Sequence, residues 1–204
     1  MKTLIIFNHP YEGSFCTAIL NAVTKGLTKS KHEVDIIHLD RDNFDPVMRA
    51  KDLKAFVRAS TSPDEAMTML DPQVLDYKKR LEEAEHLIFI FPIWWELMPA
   101  LMKGFIDKLI FPGIAYKYKG KPGGIKMEAM INWKSVTMIT TMNTPSIVYQ
   151  LIFGNAVKKA LLLGTFMKIG ISKRKWLSFN MVKMVSQKKR EKWLTKLEKR
   201  FSSL

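Results

Sequence analysis

Leu87-Ile88-Phe89-Ile90-Phe91, running on into Pro92-Ile93-Trp94-Trp95, is the longest apolar stretch of the chain. It is about half the length a membrane-spanning helix needs. A short run with no polar face, dense in β-branched and aromatic side chains, reads as a strand buried on both sides. Lys2 to Phe7 (KTLIIF) and Ser135 to Thr141 (SVTMITT) read the same way. Glu33 to Leu39 (EVDIIHL) is a further strand, and Trp176 to Phe179 is a candidate fifth.

Helical segments separate these runs. Ser14 is a good N-cap for Phe15 to Thr28, whose apolar Phe15, Ala18, Ile19, Ala22, Val23 and Leu27 share one face. Asp71-Pro72 opens a helix to about Glu85, since proline suits the first helical position after an aspartate cap. Met98-Pro99 opens another through Ile110, Tyr149 to Leu163 is mostly helical, and Gln187 to Phe201 is amphipathic. Asp40 to Asp71 is polar and irregular, broken by Pro46 and Pro63, with a short helix near Ala50 to Arg58. Phe111 to Asn132 reads as a long loop with glycines at 113, 120, 123 and 124. Alternating strands and helices, with fully apolar strands, predict a parallel sheet covered on both faces. Ligands of such sheets bind beyond the carboxyl ends of the strands.

A chain of 204 residues is long enough for one domain, residues 1–204, with a full hydrophobic core. The lone Cys16 gives no internal disulfide and no sign of an oxidising compartment. Met1 to Phe7 runs straight into a strand without a cleavable signal pattern, so a soluble, cytoplasmic protein is expected. The net charge of +14 is unevenly placed: residues 158–204 hold 14 Lys and Arg against 2 acids, whereas residues 1–157 hold 19 against 17. A basic end of this kind fits an acidic partner, anionic lipid or nucleic acid, or is only a solvated helix face. Trp193, Leu194, Leu197 and Phe201 recur at helical spacing among the lysines, which favours the solvated face and argues against nucleic acid.

The three strand ends carry the chemistry. After the first strand, His9 to Gly13 turns into the helix capped by Ser14, whose free amides and dipole suit a phosphate. No G-x-G-x-x-G and no G-x-x-x-x-G-K-[ST] is present, which argues against a Rossmann dinucleotide site and a Walker NTPase. After the third, Trp94 and Trp95 either cap the sheet or a subunit contact, or form the wall of a pocket for a flat aromatic ligand. After the fourth, Thr140-Thr141-Met142-Asn143-Thr144-Pro145 is a polar loop at the mouth of the same site. His9, His32, His38 and His86 lack ligand spacing and there is no cysteine cluster, so no metal site is predicted.

Together these loops resemble the flavodoxin-like NAD(P)H:quinone oxidoreductase family. The resemblance rests on His9-Pro10 with Ser14-Phe15, and on Phe91-Pro92-Ile93-Trp94-Trp95 through Pro99-Ala100 and Lys103-Gly104-Phe105-Ile106-Asp107-Lys108. Ala115-Tyr116 and Thr140-Thr141 extend it. It implies a three-layer sandwich on a five-stranded parallel sheet, a bound flavin, and a homodimer with its sites at the subunit contact. It implies electron transfer from NAD(P)H to a quinone or similar flat acceptor.

The resemblance also assigns residues. His9, Ser14, Phe15 and Cys16 would hold the flavin phosphate end. Pro92, Ile93, Trp94 and Trp95 would run along the ring system, and Thr140, Thr141, Met142 and Asn143 would reach its pyrimidine edge. Thr141 and Tyr149 would be the catalytic residues, managing charge there. Met142-Asn143 stand where relatives often carry two glycines, and Phe153 or Gly154 falls where some carry a histidine. The Asp40 to Asp71 insertion resembles that of longer members, which favours FAD over FMN. A rival reading is a flavin-binding regulatory subunit of a membrane transport system.

Overall fold

β-Branched and aromatic runs that alternate their side chains between two covered faces form the centre of the molecule. The computed structural model describes residues 1–59, 61–119 and 126–203. Five parallel strands lie in the order β2-β1-β3-β6-β7: β1 (Lys2–Phe7), β2 (Glu33–His38), β3 (His86–Pro92), β6 (Ser135–Thr141) and β7 (Arg174–Phe179). Strand periodicity is visible in the packing. Leu4, Ile6, Leu87, Phe89, Val136 and Met138 enter the core on one face, and Ile5, Phe7, Ile88, Ile90 and Ile139 the core on the other.

Helix α1 (Phe15–Lys29) and helix α7 (Gln187–Phe201) cover the second face. Helices α2 (Ala50–Arg58), α3 (Pro63–Thr68), α4 (Pro72–Glu83), α5 (Ala100–Leu109) and α6 (Ser146–Leu151) contribute to the first, with a wide-turned π-helix at Lys158–Met167. This is the expected three-layer sandwich. The carboxyl-terminal helix lies on the domain as its spacing predicts. Leu197 and Phe201 are buried, Glu198 pairs with Lys25 and Lys29, and a Cβ at Gly26 would meet the Glu198 carbonyl at 2.6 Å.

Two expectations are corrected. Part of the Phe111 to Asn132 loop is a hairpin, β4 (Tyr116–Tyr118) paired antiparallel with β5 (Met127–Ala129), while the glycines at 120, 123 and 124 lie outside the described residues. Pro63, read as a break, is instead the first residue of α3, where its missing N–H costs nothing. The mostly helical stretch read over Tyr149 to Leu163 comprises the end of α6 and the start of the π-helix, separated by a turn with left-handed Gly154 and Asn155. Among the described residues no helix is long and apolar enough to cross a membrane, and no His/Cys/Asp/Glu group has the makings of a metal site.

Candidate flavin site

The strand order reverses between β1 and β3, and the crevice beyond their carboxyl ends is where such sheets take ligands. Three segments meet there. On one side, Ser14 caps α1, its Oγ accepting the Thr17 amide at 3.1 Å. The Phe15 and Cys16 amides, the first two of the helix, find no acceptor among the described residues, and the dipole adds positive potential. His9 stands beside this turn, its Nδ1 accepting the Tyr11 amide at 3.1 Å, so that Nε2 carries the proton. Burial lowers the His9 pKa, partly offset by the charge of Asp40, and keeps the ring neutral near pH 7.

The second segment presents the tryptophans. The Ile93 amide continues the sheet by donating to the Thr141 carbonyl at 2.8 Å, and Pro92 and Ile93 are buried behind it. Trp94 and Leu97 then pair across a tight turn whose central residues, Trp95 and Glu96, have φ of +48° and +62°. Two left-handed non-glycine residues in succession are strained. What holds them is the Glu96 carbonyl, which accepts the Tyr149 hydroxyl at 2.8 Å, and Glu96 Oε1, which accepts from Thr144 Oγ1 at 2.8 Å. Trp94 is half-exposed, 6.1 Å from the His9 ring, and Trp95 is 98% exposed. The tryptophans are therefore an open shelf and not core.

The third segment departs from expectation. Thr140 and Thr141 are buried, and neither hydroxyl is offered to the crevice: Thr140 Oγ1 accepts from Trp176 Nε1 at 2.9 Å, and Thr141 Oγ1 lies 3.2 Å from Cys16 Sγ. The Met142 amide is taken by the Phe179 carbonyl, and Asn143 Oδ1 accepts from the Lys183 amide. The donors left to this loop are the backbone amides that follow, at Asn143 and Thr144. The Cys16 thiol is likewise inside the domain, pushed up to about 12 by burial, so Cys16 can serve a ligand through its amide alone.

Tyr149 lies inside the domain. It is 1% exposed, donates to Glu96, and accepts the Val157 amide at 3.0 Å. Its hydroxyl braces the tryptophan turn. Glu96 was not singled out by the sequence, although its position directly after two tryptophans is the signal that could have found it. A group with a phosphate at one end and a flat aromatic ring at the other fits this site. The pair of orphaned amides at the cap suits the phosphate, the aromatic shelf suits the ring, and the buried Asn8 Oδ1 and Glu96 Oε2, which have no partner among the described residues, are open to a ligand's donors.

A parallel β2-β1-β3-β6-β7 sheet with this crevice at its switch point defines a flavodoxin-like α/β protein. The chain belongs to the Flavodoxin-like fold family, whose profile matches residues 1–202. It is 30% identical over 153 residues to NAD(P)H dehydrogenase (quinone) 1 of Cavia porcellus, a match covering 71% of this chain and 54% of that protein. The chain thus spans about half the length of that relative. Among solved structures it is similar to Smu.1420 from Streptococcus mutans UA159, with 31% identity, a TM-score of 0.83 and full coverage of both chains. It shares its fold with an FMN-dependent NADH-azoreductase from Bacillus anthracis str. Ames Ancestor solved with FMN, at 15% identity and a TM-score of 0.77 over 99% of this chain and 98% of that one. The transport-subunit reading gains no support from these relatives.

Proposed function

We propose that residues 1–204 act as one flavin-binding domain of an oxidoreductase that takes electrons from NAD(P)H and passes them to a quinone or similar flat acceptor. The observation that carries this reading is the meeting, at one switch point, of a free-amide helix start and an exposed tryptophan shelf. The name of the Cavia porcellus relative supports the donor and acceptor, and the FMN held by the azoreductase supports a flavin. When bound, a flavin supplies two-electron transfer between a nicotinamide and an acceptor that occupy the same stacking slot.

The chain's own residues position that chemistry. The Phe15 and Cys16 amides and His9 Nε2–H take phosphate, Trp94 and Trp95 give flat ligands a face, and the Asn143 and Thr144 amides accept charge at the ring edge. A second cavity, lined by Pro10, Asp40, Phe44 and Leu101 among others, adjoins the phosphate end, and its volume is about 600 Å³. It is room for an adenylate, and we favour FAD over FMN on that ground.

A homodimer, which the family resemblance implies, remains part of the reading. The apolar face of α5 is absorbed within the chain: Met102, Phe105, Ile106 and Leu109 are buried, and a Cβ at Gly104 would meet Pro46 at 2.3 Å. Several exposed apolar residues flank the tryptophan turn and α6, at Trp95, Leu97, Ile147, Leu151, Ile152 and Phe153. A second copy covering this rim would wall the shelf.

The test is the visible spectrum of purified protein after incubation with FMN or FAD, then anaerobic addition of NADH or NADPH. We expect a bound yellow flavin that bleaches and regains colour when a short-chain quinone is added. Protein that takes up neither flavin at micromolar concentration, about 8 kcal/mol of binding, defeats the reading.

A further inference from the structure

At the opposite end of the sheet, where β1, β3 and β6 begin, lies another cavity of about 540 Å³. Two imidazoles are part of its polar lining. His32 precedes β2 and His86 opens β3, and the parallel register of β1 on both strands brings the ring centroids to 6.0 Å. Thr3 Oγ1 lies 2.9 Å from His32 Nδ1, and Ser135 Oγ lies 2.7 Å from His86 Nδ1. Neither hydroxyl has another acceptor among the described residues, so each donates to its Nδ1 and leaves the proton of the neutral ring on Nε2. Burial lowers both histidine pKa values and keeps the rings neutral; for His86 the nearby His32 adds to the effect.

Both Nε2 atoms are buried and have no partner among the described residues. Two buried donors so placed are costly unless something accepts from them. Lys173, Arg174, Lys175 and Arg200 line the same cavity, and none pairs with a carboxylate among the described residues. Glu85, the acid nearest the two histidines, is already held by Lys134. Leu27, Leu87 and Phe201 give the cavity an apolar floor. The volume is in the range of small-molecule sites and larger than inorganic phosphate needs.

We propose that this cavity is a second ligand site, for a small organic anion whose carboxylate or phosphate accepts from His32 and His86 and whose apolar body lies on Leu27 and Phe201. The rim cations draw the anion in and neutralise it. The site uses no residue of the flavin crevice and stands or falls apart from it.

The full chain, labelled with nitrogen-15, is titrated with phenyl phosphate, phenylacetate, inorganic phosphate and benzyl alcohol, each with and without FMN present. We expect phenyl phosphate or phenylacetate to bind with a Kd below about 1 mM. Binding should move the Nε2 resonances of both histidines and be indifferent to FMN. The tighter of the two identifies the headgroup. Lys173→Gln with Arg200→Gln should weaken it at least about tenfold, as loss of charge-assisted partners does, with flavin uptake unchanged. The proposal is overturned if neither organic anion binds at about 10 mM, if benzyl alcohol binds as tightly, if FMN displaces the probe, or if the double variant binds like the parent. The imidazole resonances of the unaltered chain decide the matter even where a variant misfolds.

Discussion

The Tyr149 hydroxyl donates to the Glu96 carbonyl at 2.8 Å, joining α6 to the strained turn that displays Trp95. The same oxygen accepts the Val157 amide, so one side chain braces two loops. Tyr149→Phe leaves a buried amide and a carbonyl unpaired, which costs about 1–3 kcal/mol. We expect a lower urea midpoint and weaker flavin or acceptor binding. A variant with parental stability and affinity would show that the turn holds itself.

Trp95 is nearly fully exposed at φ +48°, a conformation that glycine adopts without strain. Trp95→Gly should therefore stabilise the ligand-free protein by about 1 kcal/mol, while weakening a stacked ligand by about 1–3 kcal/mol. Thermal melts and flavin or acceptor titrations of the same preparation check the opposite signs. Loss of stability on substitution would mean the indole is packed, and the shelf reading would fail.

Cys16 is buried, its thiol is pushed up to about 12, and it faces Thr141 across 3.2 Å. It should resist a thiol reagent at pH 8 in the native protein and react at once in urea. Cys16→Ala should leave flavin uptake intact, since the backbone amide is what remains for a ligand. Rapid native-state labelling would contradict the burial.

Lys108 and Asp52 form a pair 3.8 Å apart with side chains 2% exposed on both sides, under the Phe44 ring. Removing one partner strands the other in an apolar core. Lys108→Met should cost about 3–5 kcal/mol, and adding Asp52→Asn should recover much of it. Chemical denaturation of the three proteins measures the coupling; additive losses would show that the two charges do not depend on each other.

His9, His32 and His86 all have pKa values lowered by burial from 6.5. In the unfolded chain they take up protons at higher pH than in the folded one. The unfolded state therefore gains first as pH falls below about 6.5, and stability declines through that window. The carboxylates that are depressed in the fold, such as Asp35 beside Arg80, add their losses only at lower pH. Melting curves at pH 7.5 and 5.5 should differ in the parent and differ less when His32→Gln and His86→Gln are combined, His9 keeping its share. Equal slopes in both proteins would clear the imidazoles of the effect.

The sheet was legible because apolar runs as short as KTLIIF and LIFIF, dense in β-branched and aromatic residues, are too short for helices. So was the cap at Ser14, which is a matter of local chemistry. What the sequence hid is set by distant partners. Thr140 and Thr141 look like donors at a loop mouth until Trp176 and Cys16 are seen to claim them. The packing of Pro46 on Gly104 of α5, at 2.3 Å from where a Cβ would stand, joins residues far apart in the chain that no local pattern relates. The two histidines at the sheet's other end lie 54 positions apart, so their meeting depends on β1 pairing with both strands beside it.

The docking of α7 on α1 bears on how the chain is made. Synthesis is vectorial, and α1 emerges long before the residues that cover it. Ser30 Oγ donates to the Phe201 carbonyl across 171 positions, and Leu197 and Phe201 close the apolar face of α1. Edge strand β7 and that cover are both made after the other four strands. A nascent chain therefore carries a half-naked sheet until the basic helix clears the ribosome, and the closing step joins the most distant parts of the sequence. Contacts of such separation slow folding and favour chaperone capture during translation.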